Sequence, residues 1–265
     1  MSTIRLETRD AVAVLVIDNA PVNCITTEMF AQLGEHVRQL SADPAVRAVV
    51  IQGAGPKHYT AGADIRQMVM ALAMVPRAER GKPARQWLEA VHAVMAAIEE
   101  SPKVFLCAMK GLSYGGGLEM AAACDIRVAD ATARFAMPEV KIGLLPGYGG
   151  TQRLPRLIGR GRALSLILSA GEVDAEAAHR MGLIDVLTPA GEAEQTALAM
   201  AAAISGQAPL ALAATKRAVH VGYDLPLAQG CLFEQDLFAE LATTADFQEG
   251  VLAFVEKRRP WFRGE

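Results

Sequence analysis

The stretch that decides the fold is residues 103–117, KVFLCAMKGLSYGGG, followed at once by LEMAAA. Residues 104–109 form an apolar run of strand length and predict a buried β-strand. Residues 111–117, which we call the glycine turn, predict a sharp change of direction. Because helix-forming residues follow, the N–H groups of Gly116 and Gly117 are expected at a helix N-terminus. Such groups can bind a phosphate, or a carbonyl oxygen that gains negative charge during a reaction.

Two carboxylates lie beside glycine-rich segments. Glu119 follows the glycine turn by less than one helical turn, and Glu139 follows Pro138 in the apolar context FAMPEV. A carboxyl group in apolar surroundings is poorly hydrated, so its pKa rises and it can hold a proton near neutral pH. The two glutamates are therefore candidate acid and base catalysts. The alternative at this point is an ordinary helix residue and an ordinary turn residue.

The composition excludes several classes of partner. The chain has 26 Lys and Arg against 29 Asp and Glu, a net charge of −3, and 52% hydrophobic residues, which is typical of a globular protein without a basic surface. We therefore expect no nucleic-acid partner. The N-terminal sequence MSTIRLETRD lacks an apolar signal core, and no apolar stretch of about 20 residues occurs. We expect no membrane partner and a cytoplasmic location.

Cysteine and histidine spacing predicts neither a disulfide framework nor a metal site. The cysteines are far apart and contain no C-x-x-C pair, and the histidines contain no H-x-x-x-H pair. The residues concerned are Cys24, Cys107, Cys124, Cys231, His36, His58, His92, His179 and His220.

Periodicity predicts alternating strands and helices in the first part of the chain. Expected strands cover residues 3–9, 11–17, 46–52, 104–109 and two short segments within 125–136, with a helix from Thr26 or Thr27 to Leu40. The loop GAGPKHYTAGAD ends at Asp64, whose carboxylate can cap the next helix. From about residue 190 the pattern is four amphipathic helices, so we predict a core at residues 1–190 and a helical region at residues 191–265.

Residues 65–101 are expected to form two helical pieces, broken around Pro76 and residues 81–83. The segment 68–75, MVMALAMV, is apolar on all sides. It predicts either a buried helix or a pliable, methionine-rich wall for an acyl chain.

Other motifs compete for the same residues. Residues 111–115, GLSYG, match the G-x-S-x-G pattern of serine hydrolases, with Ser113 as the nucleophile. A triad would also need a histidine, but His179 and His220 fall in segments with helical patterns, and no HGGG loop precedes. The glycine spacing does not fit a dinucleotide site. The C-terminal KRRPWFR can contact RNA or phosphate, or be a solvated helix end.

Several motifs in order resemble those of the enoyl-CoA hydratase (crotonase) family: NAPVN, YTAGADI, GLSYGGGLEMAAACDIRVA, FAMPEVKIGLLPGYGGTQRL and FVEKRRPWF. The resemblance covers essentially the whole chain. It implies an α/β fold, a right-handed spiral of ββα units followed by a C-terminal helical trimerisation region. It also implies a homotrimer or a hexamer built as a dimer of trimers.

The resemblance further implies a site for an acyl-CoA thioester. Ala63 and Gly116 match the residues whose N–H groups hold the thioester carbonyl, and Glu119 and Glu139 match the two glutamates of the hydratases. Glu119 would deprotonate water while Glu139 protonates C2, or both would share one water. The residues that match CoA-binding positions are Lys57, Ala61, Asp64, Ile65, Arg66 and Lys257. No metal or separate cofactor is implied, because coenzyme A is part of the substrate.

The chain departs from the family pattern at several places. Ser113 and Tyr114 stand where small or apolar residues are common, Tyr148 replaces a small residue in PGxGG, and residues 66–85 are longer than in short-chain hydratases. The alternatives to a hydratase are therefore an enoyl-CoA isomerase, a hydroxyacyl-CoA dehydratase or hydrolase, and a non-catalytic member that binds CoA or RNA.

Overall fold

The computed structural model describes residues 2–265, which form nine strands and eleven α-helices. The strands are β1 (Thr3–Arg9), β2 (Val12–Asp18), β3 (Ala48–Gly53), β4 (Val104–Met109), β5 (Leu112–Tyr114), β6 (Ile126–Asp130), β7 (Arg134–Ala136), β8 (Glu172–Asp174) and β9 (Val186–Thr188). The first helices are α1 (Thr27–Ala42), α2 (Ile65–Ala73), α3 (Gly81–Glu100), α4 (Gly116–Ala123), α5 (Gly150–Ile158) and α6 (Arg160–Ser169). They are followed by α7 (Ala175–Met181), α8 (Ala193–Ser205), α9 (Pro209–Tyr223), α10 (Leu227–Leu241) and α11 (Ala245–Glu256).

The larger sheet has six strands in the order β1-β2-β3-β4-β6-β9. β1 and β2 are antiparallel, and every later pair in this sheet is parallel. All six residues of β4 are buried, as expected for a parallel strand that is covered on both faces. The apolar runs in the sequence therefore predicted these central strands correctly.

The smaller sheet, β5-β7-β8, positions the site. β5 runs parallel to β7 with Tyr114 opposite Ala136, and the Gly115 N–H donates to the Ala136 carbonyl at 2.9 Å. The strand pair thus places the end of the glycine turn beside the segment that carries Pro138 and Glu139. That segment is a short 3-10 helix, Pro138–Ile142.

Helices cover both faces of the larger sheet. α1 and α3 pack on one face in the main apolar core, and α8 covers the other, where Ala193, Ala197 and Ala201 are buried against residues such as Val50 and Leu106. The helix that directly follows the predicted boundary at residue 190 therefore packs on the sheet, and that boundary stays a prediction. Among residues 2–265 no single helix is long and apolar enough to cross a bilayer. Only α8 and α9 taken together have that length and apolar composition, and the two helices are bent by 112° relative to each other.

The apolar helix α2 is not buried. It begins at the predicted cap, since Asp64 Oδ1 accepts hydrogen bonds from the N–H groups of Arg66 and Gln67 at 3.0 and 3.2 Å. None of its residues is buried; Met70 is 72% exposed, and Met74, the C-cap residue that follows the helix, is 86% exposed. The prediction of a buried helix here is wrong, because composition indicates an apolar surface but not what covers it. The wall for an acyl chain stays a prediction.

Candidate active site

The glycine turn brings two loops into close contact. β5 ends at Tyr114, α4 begins at Gly116, and Gly115 between them has a φ of +48°, which favours glycine. Gly62 lies against this turn: a Cβ atom there would come within 2.7 Å of the Tyr114 carbonyl oxygen and 3.1 Å of the Gly116 nitrogen. Only a residue without a side chain fits between the two loops.

The loop that contains Gly62 is fixed by Thr60. The Thr60 N–H donates to the Leu112 carbonyl at 3.0 Å, and the Tyr114 N–H donates to the Thr60 carbonyl at 3.1 Å. The buried Thr60 hydroxyl donates to the Asn23 carbonyl at 2.6 Å and accepts from the Gly62 N–H at 3.0 Å. The backbone of this loop is therefore rigidly placed relative to β5.

The backbone N–H groups of Ala63 and Gly116 have no hydrogen-bond partner within residues 2–265, and neither does that of Gly117. Ile25 bonds to the carbonyl of Gly62 and to the N–H of Asp64, so the Ala63 N–H points away from it. Gly116 is the first residue of α4, where N–H groups lack intrahelical acceptors. The two adjoining segments therefore present free donors to the same place, and the positive end of the α4 dipole lies beside them.

Glu119 lies one turn into α4 and is 1% exposed. Its Oε1 accepts hydrogen bonds from the Tyr148 N–H at 2.8 Å and the Gly150 N–H at 2.6 Å. Burial raises the pKa of Glu119 from 4.5 to about 7, and the nearby Glu139 adds to the rise, while the two N–H donors act against it. This carboxyl group can therefore gain and lose a proton near neutral pH.

Glu139 approaches the same turn from the 3-10 helix after β7. Its Oε1 lies 2.6 Å from the position that a Cβ atom on Gly115 would take. Its Oε2 is buried and has no hydrogen-bond partner in the part of the chain that the structure describes. Burial raises the pKa of Glu139 above its ordinary value. The structure thus brings both predicted glutamates to the glycine turn.

The loop that follows Glu139 carries Tyr148, and an ion pair supports this loop from outside. The Tyr148 carbonyl accepts a hydrogen bond from Arg153 Nη1 at 3.0 Å. The guanidinium group of Arg153 also donates to both oxygens of Glu99 on α3, at 2.5 and 2.6 Å. The backbone donors to Glu119 are therefore anchored to a second helix.

The structure separates the predicted CoA-binding residues into two places. Lys57, Ala61, Asp64, Ile65 and Arg66 lie in the single segment between β3 and the first turn of α2. This segment adjoins the glycine turn, where Thr60 bridges to Ser113. Lys257 is exposed at the C-terminal end of α11, and no hydrogen bond within residues 2–265 connects it to that turn. That Lys257 contributes to CoA binding together with the segment before α2 stays a prediction.

Three supporting features of the site join residues that are distant in the chain. Thr60, the Arg153–Glu99 pair and Asn23 were not predicted as site residues. The Asn23 side-chain amide donates to the carbonyls of Ala54, His58 and Tyr59 at 3.0, 3.0 and 3.2 Å. Each lies within or close to a motif that carries the resemblance, but its partner is distant in the chain.

Ser113 does not have the surroundings of a hydrolytic nucleophile. It lies within β5, its side chain is fully buried, and its hydroxyl has no hydrogen-bond partner among residues 2–265. His179 bonds to the Ile184 carbonyl, and His220 bonds to Asp125. The geometry does not support the serine-hydrolase alternative.

Comparisons with known proteins concern the family and the fold. The family model described as Enoyl-CoA hydratase/isomerase matches residues 7–265. The short-chain-enoyl-CoA hydratase of Clostridium acetobutylicum is 34% identical over 260 residues, 98% of this chain and 97% of that protein. The crotonyl-CoA hydratase of Syntrophomonas wolfei is 35% identical over 258 residues, 97% of this chain and 96% of that protein. The crystal structure of an enoyl-CoA hydratase from Bacillus anthracis matches with a TM-score of 0.92 at 30% identity, covering 99% of both chains. The structural match confirms the expected α/β fold, a spiral of ββα units with helices at the C-terminus.

Proposed function

This chain belongs to the enoyl-CoA hydratase/isomerase family, and from that premise we propose that it adds water reversibly across the 2,3 double bond of a 2-enoyl-CoA thioester. The observation that supports a hydratase most is the pair of carboxyl groups, the buried Glu119 and the half-buried Glu139, on the two sequence segments that border the glycine turn. Hydration needs one group to take a proton from water and another to give a proton to carbon.

The free N–H groups of Ala63 and Gly116 fit the charge that develops in this reaction. Attack of water at C3 pushes negative charge onto the thioester oxygen, and we assign the Ala63 and Gly116 N–H groups as the donors that stabilise it. Donors placed in advance cost no reorganisation when the charge appears. In other enzymes the loss of one such donor costs about 3–4 kcal/mol of transition-state stabilisation.

The surroundings of the two carboxyl groups support different roles. Two backbone N–H groups bond to Glu119 and offset part of the rise that burial causes in its pKa, so its charged form is present near neutral pH and can deprotonate water. Glu139 Oε2 is buried without a donor, which favours the protonated form and suits an acid that protonates C2. In the reverse, dehydrating direction the two groups exchange these tasks.

We propose that CoA is bound mainly by the segment before α2. The resemblance assigns the adenine and pantetheine contacts to residues from Ala61 to Ile65, and the phosphates to Lys57 and Arg66, which are both exposed. Lys257 would reach a phosphate group, in its own subunit or in a neighbouring one. The reaction as proposed needs no metal and no separate cofactor, and the cytoplasmic location stays a prediction.

The test is the loss of the conjugated-thioester absorbance when purified protein is mixed with crotonyl-CoA and with a medium-chain 2-enoyl-CoA. We expect fast loss that Glu119→Gln and Glu139→Gln each abolish. Unchanged turnover in both variants would refute the proposal. If a 3-enoyl-CoA is converted to the conjugated ester but water is not added, the chain is an isomerase. Binding of CoA esters without any reaction would favour a non-catalytic, CoA-binding role. A gel shift with RNA would test the other non-catalytic alternative, RNA binding.

We also propose that the chain forms a trimer or a hexamer. Large apolar side chains on the last three helices and the C-terminal segment are exposed, among them Leu227, Phe238, Phe254, Val255 and Trp261. A monomer rarely exposes so much apolar surface. Sedimentation equilibrium should give a mass of three or six chains, and a monomer at micromolar concentration would contradict this proposal.

A further inference from the structure

We propose that Tyr148 is a substrate-contacting residue whose hydroxyl donates a hydrogen bond to the oxygen at C3 of the acyl chain. That oxygen belongs to the attacking water in one direction and to the 3-hydroxyl group in the other. The inference rests on the proposed function, since it concerns the same site and the same reaction. The tyrosine keeps its proton throughout, so no proton transfer is added to the mechanism.

The position of the ring is the first observation. Tyr148 packs on the glycine turn so closely that a Cβ atom on Gly116 would lie 2.5 Å from its Cε2 and 2.7 Å from its Cδ2. The ring is held edge-on by Phe30 and Trp87, with centroid distances of 5.0 and 5.3 Å. It therefore lies in a fixed orientation beside one of the two proposed oxyanion donors.

The second observation is that the Tyr148 hydroxyl is buried without a protein partner in the part of the chain that the structure describes. Tyr148 is 3% exposed, and its hydroxyl has no hydrogen-bond partner within residues 2–265. A buried hydroxyl without a partner destabilises a protein, so its presence here indicates that a bound molecule supplies the missing acceptor. Three features of the molecule argue for the substrate as that partner: the ring contacts Gly116, the Tyr148 N–H bonds to Glu119, and Glu139 adjoins the same turn.

Electrostatics agree with this placement. Burial raises the pKa of Tyr148 well above its ordinary value, and the carboxylates of Glu119 and Glu139 raise it further, which requires both to lie near the phenol. The hydroxyl therefore keeps its proton and is a permanent donor near two groups that bind protons. An oxygen held between the two glutamates is the acceptor that fits such a donor, because water and a 3-hydroxyl group both have free lone pairs.

The experiment compares two ligands that differ only at C3. Binding of 3-hydroxybutyryl-CoA, as each enantiomer, and of butyryl-CoA is measured by calorimetry in the Glu139→Gln background, which prevents turnover, with and without Tyr148→Phe. Phenylalanine keeps the ring and its contacts. We expect Tyr148→Phe to weaken binding of one 3-hydroxybutyryl-CoA enantiomer about tenfold, as for a lost hydrogen bond of about 1.4 kcal/mol, and to leave butyryl-CoA within about twofold.

Tyr114→Phe is the matched control. Tyr114 lies in β5, and its hydroxyl donates to Glu172, so its loss removes a hydroxyl that already has a protein partner. We expect this variant to bind both ligands as the parent does. Equal weakening of both ligands by Tyr148→Phe would mean a structural role, and no change in either would also overturn the proposal.

The test of Tyr148 can fail or succeed independently of the test of the proposed hydratase activity. If the protein with its own sequence hydrates no 2-enoyl-CoA, the proposed function fails, yet the calorimetric comparison still shows whether the phenol meets a hydroxyl at C3. If hydration occurs and Tyr148→Phe leaves the ligand preference unchanged, only the inference about Tyr148 fails.

Discussion

Glu119 and Glu139 border the same glycine turn but are held by different kinds of structure. Glu119 is on an α-helix, is almost fully buried, and receives two N–H groups on one oxygen. Glu139 is on a 3-10 helix, is half-buried, and has one buried oxygen without a partner in the part of the chain described, residues 2–265. Burial raises the pKa of both carboxyl groups.

The difference concerns the hydrogen-bond donors that stabilise each carboxylate; burial raises the pKa of both groups, that of Glu119 to about 7 in spite of its two donors. Hydrogen-bond donors lower the free energy of a carboxylate, whereas burial without donors lowers that of the neutral acid relative to the charged form. A pair of glutamates can therefore divide the tasks of base and acid without any difference in side-chain chemistry. The following predictions test whether this division holds.

The largest expected effect separates the two glutamates by exchange at C2. In heavy water, the enzyme should replace a C2 hydrogen of butyryl-CoA by deuterium. This exchange needs only the oxyanion donors and a group that removes and returns a proton at C2. Glu139→Gln should slow this exchange about 10³-fold, within the usual range for loss of a general acid or base. Glu119→Gln should leave exchange within about tenfold while it abolishes hydration. Mass spectrometry of the recovered thioester measures the exchange.

Both variants have the shape of the parent side chain, so their folds are expected to be intact. Circular dichroism and CoA-ester binding are the controls. Equal loss of exchange in the two variants would mean that the glutamates share one role, and loss in Glu119→Gln alone would reverse the assignment.

The second prediction concerns stability and pH. The pKa of Glu119 is raised from 4.5 to about 7, so the folded protein holds this proton more tightly than the unfolded chain does. The stability linked to it is fully present below pH 4.5 and is lost as pH rises through 7, a loss of roughly 3 kcal/mol. Glu119→Gln cannot ionise, so relative to the parent it should become more stable by about that amount between pH 4 and pH 8.

Urea unfolding of the two proteins at several pH values measures this difference. Glu28→Gln is a suitable control because Glu28 is exposed and its pKa is lowered instead, by its hydrogen bond to Gln67. This variant should show the opposite sign and a much smaller change. A pH-independent difference between parent and Glu119→Gln would mean that folding does not raise the pKa of Glu119.

Much of this site was predictable because its parts are local in sequence. The apolar run before the glycine turn predicted β4, the glycines predicted the turn, and the residues after them predicted the N-terminus of α4. Asp64 was predicted as a helix cap and is one. Each of these features depends on backbone conformation and burial within a few residues, which composition and spacing describe well.

The unpredicted parts depend on contacts between distant segments. Glu119 and its donor Gly150 are 31 residues apart, and Arg153 and Glu99 are 54 apart. Nothing in either local sequence indicates such a pairing, because it arises only when the strands are placed side by side. The exposure of α2 was missed for the same reason: an apolar helix is buried only if another element covers it.

A substitution at Gly150 would disturb Glu119 through one of its hydrogen-bond donors without changing the carboxyl group. A Cβ atom on Gly150 would lie 2.9 Å from Cγ and Oε1 of Glu119, so Gly150→Ala must displace the side chain. We expect kcat for hydration to fall about 10- to 100-fold, since small displacements of a catalytic group have effects of that size. Exchange at C2 should persist, because Glu139 is untouched. Gly161→Ala, at a helical glycine with open space around it, is the control and should keep full activity.

The smallest effect is expected from the ion pair that supports the loop of Tyr148. Glu99→Gln leaves Arg153 without its charged partner, so the Tyr148 carbonyl and the N–H groups that hold Glu119 become less firmly placed. Because the change acts on Glu119 only through the loop, kcat for hydration should fall about tenfold, equivalent to about 1.4 kcal/mol, and exchange at C2 should not change. Glu89→Gln on the same helix removes an exposed pair with Arg85 and should have no measurable effect. If Glu99→Gln slowed exchange at C2 as much as hydration, the loop would support both glutamates. The two carboxyl groups would then differ less in their structural support than their hydrogen bonds indicate.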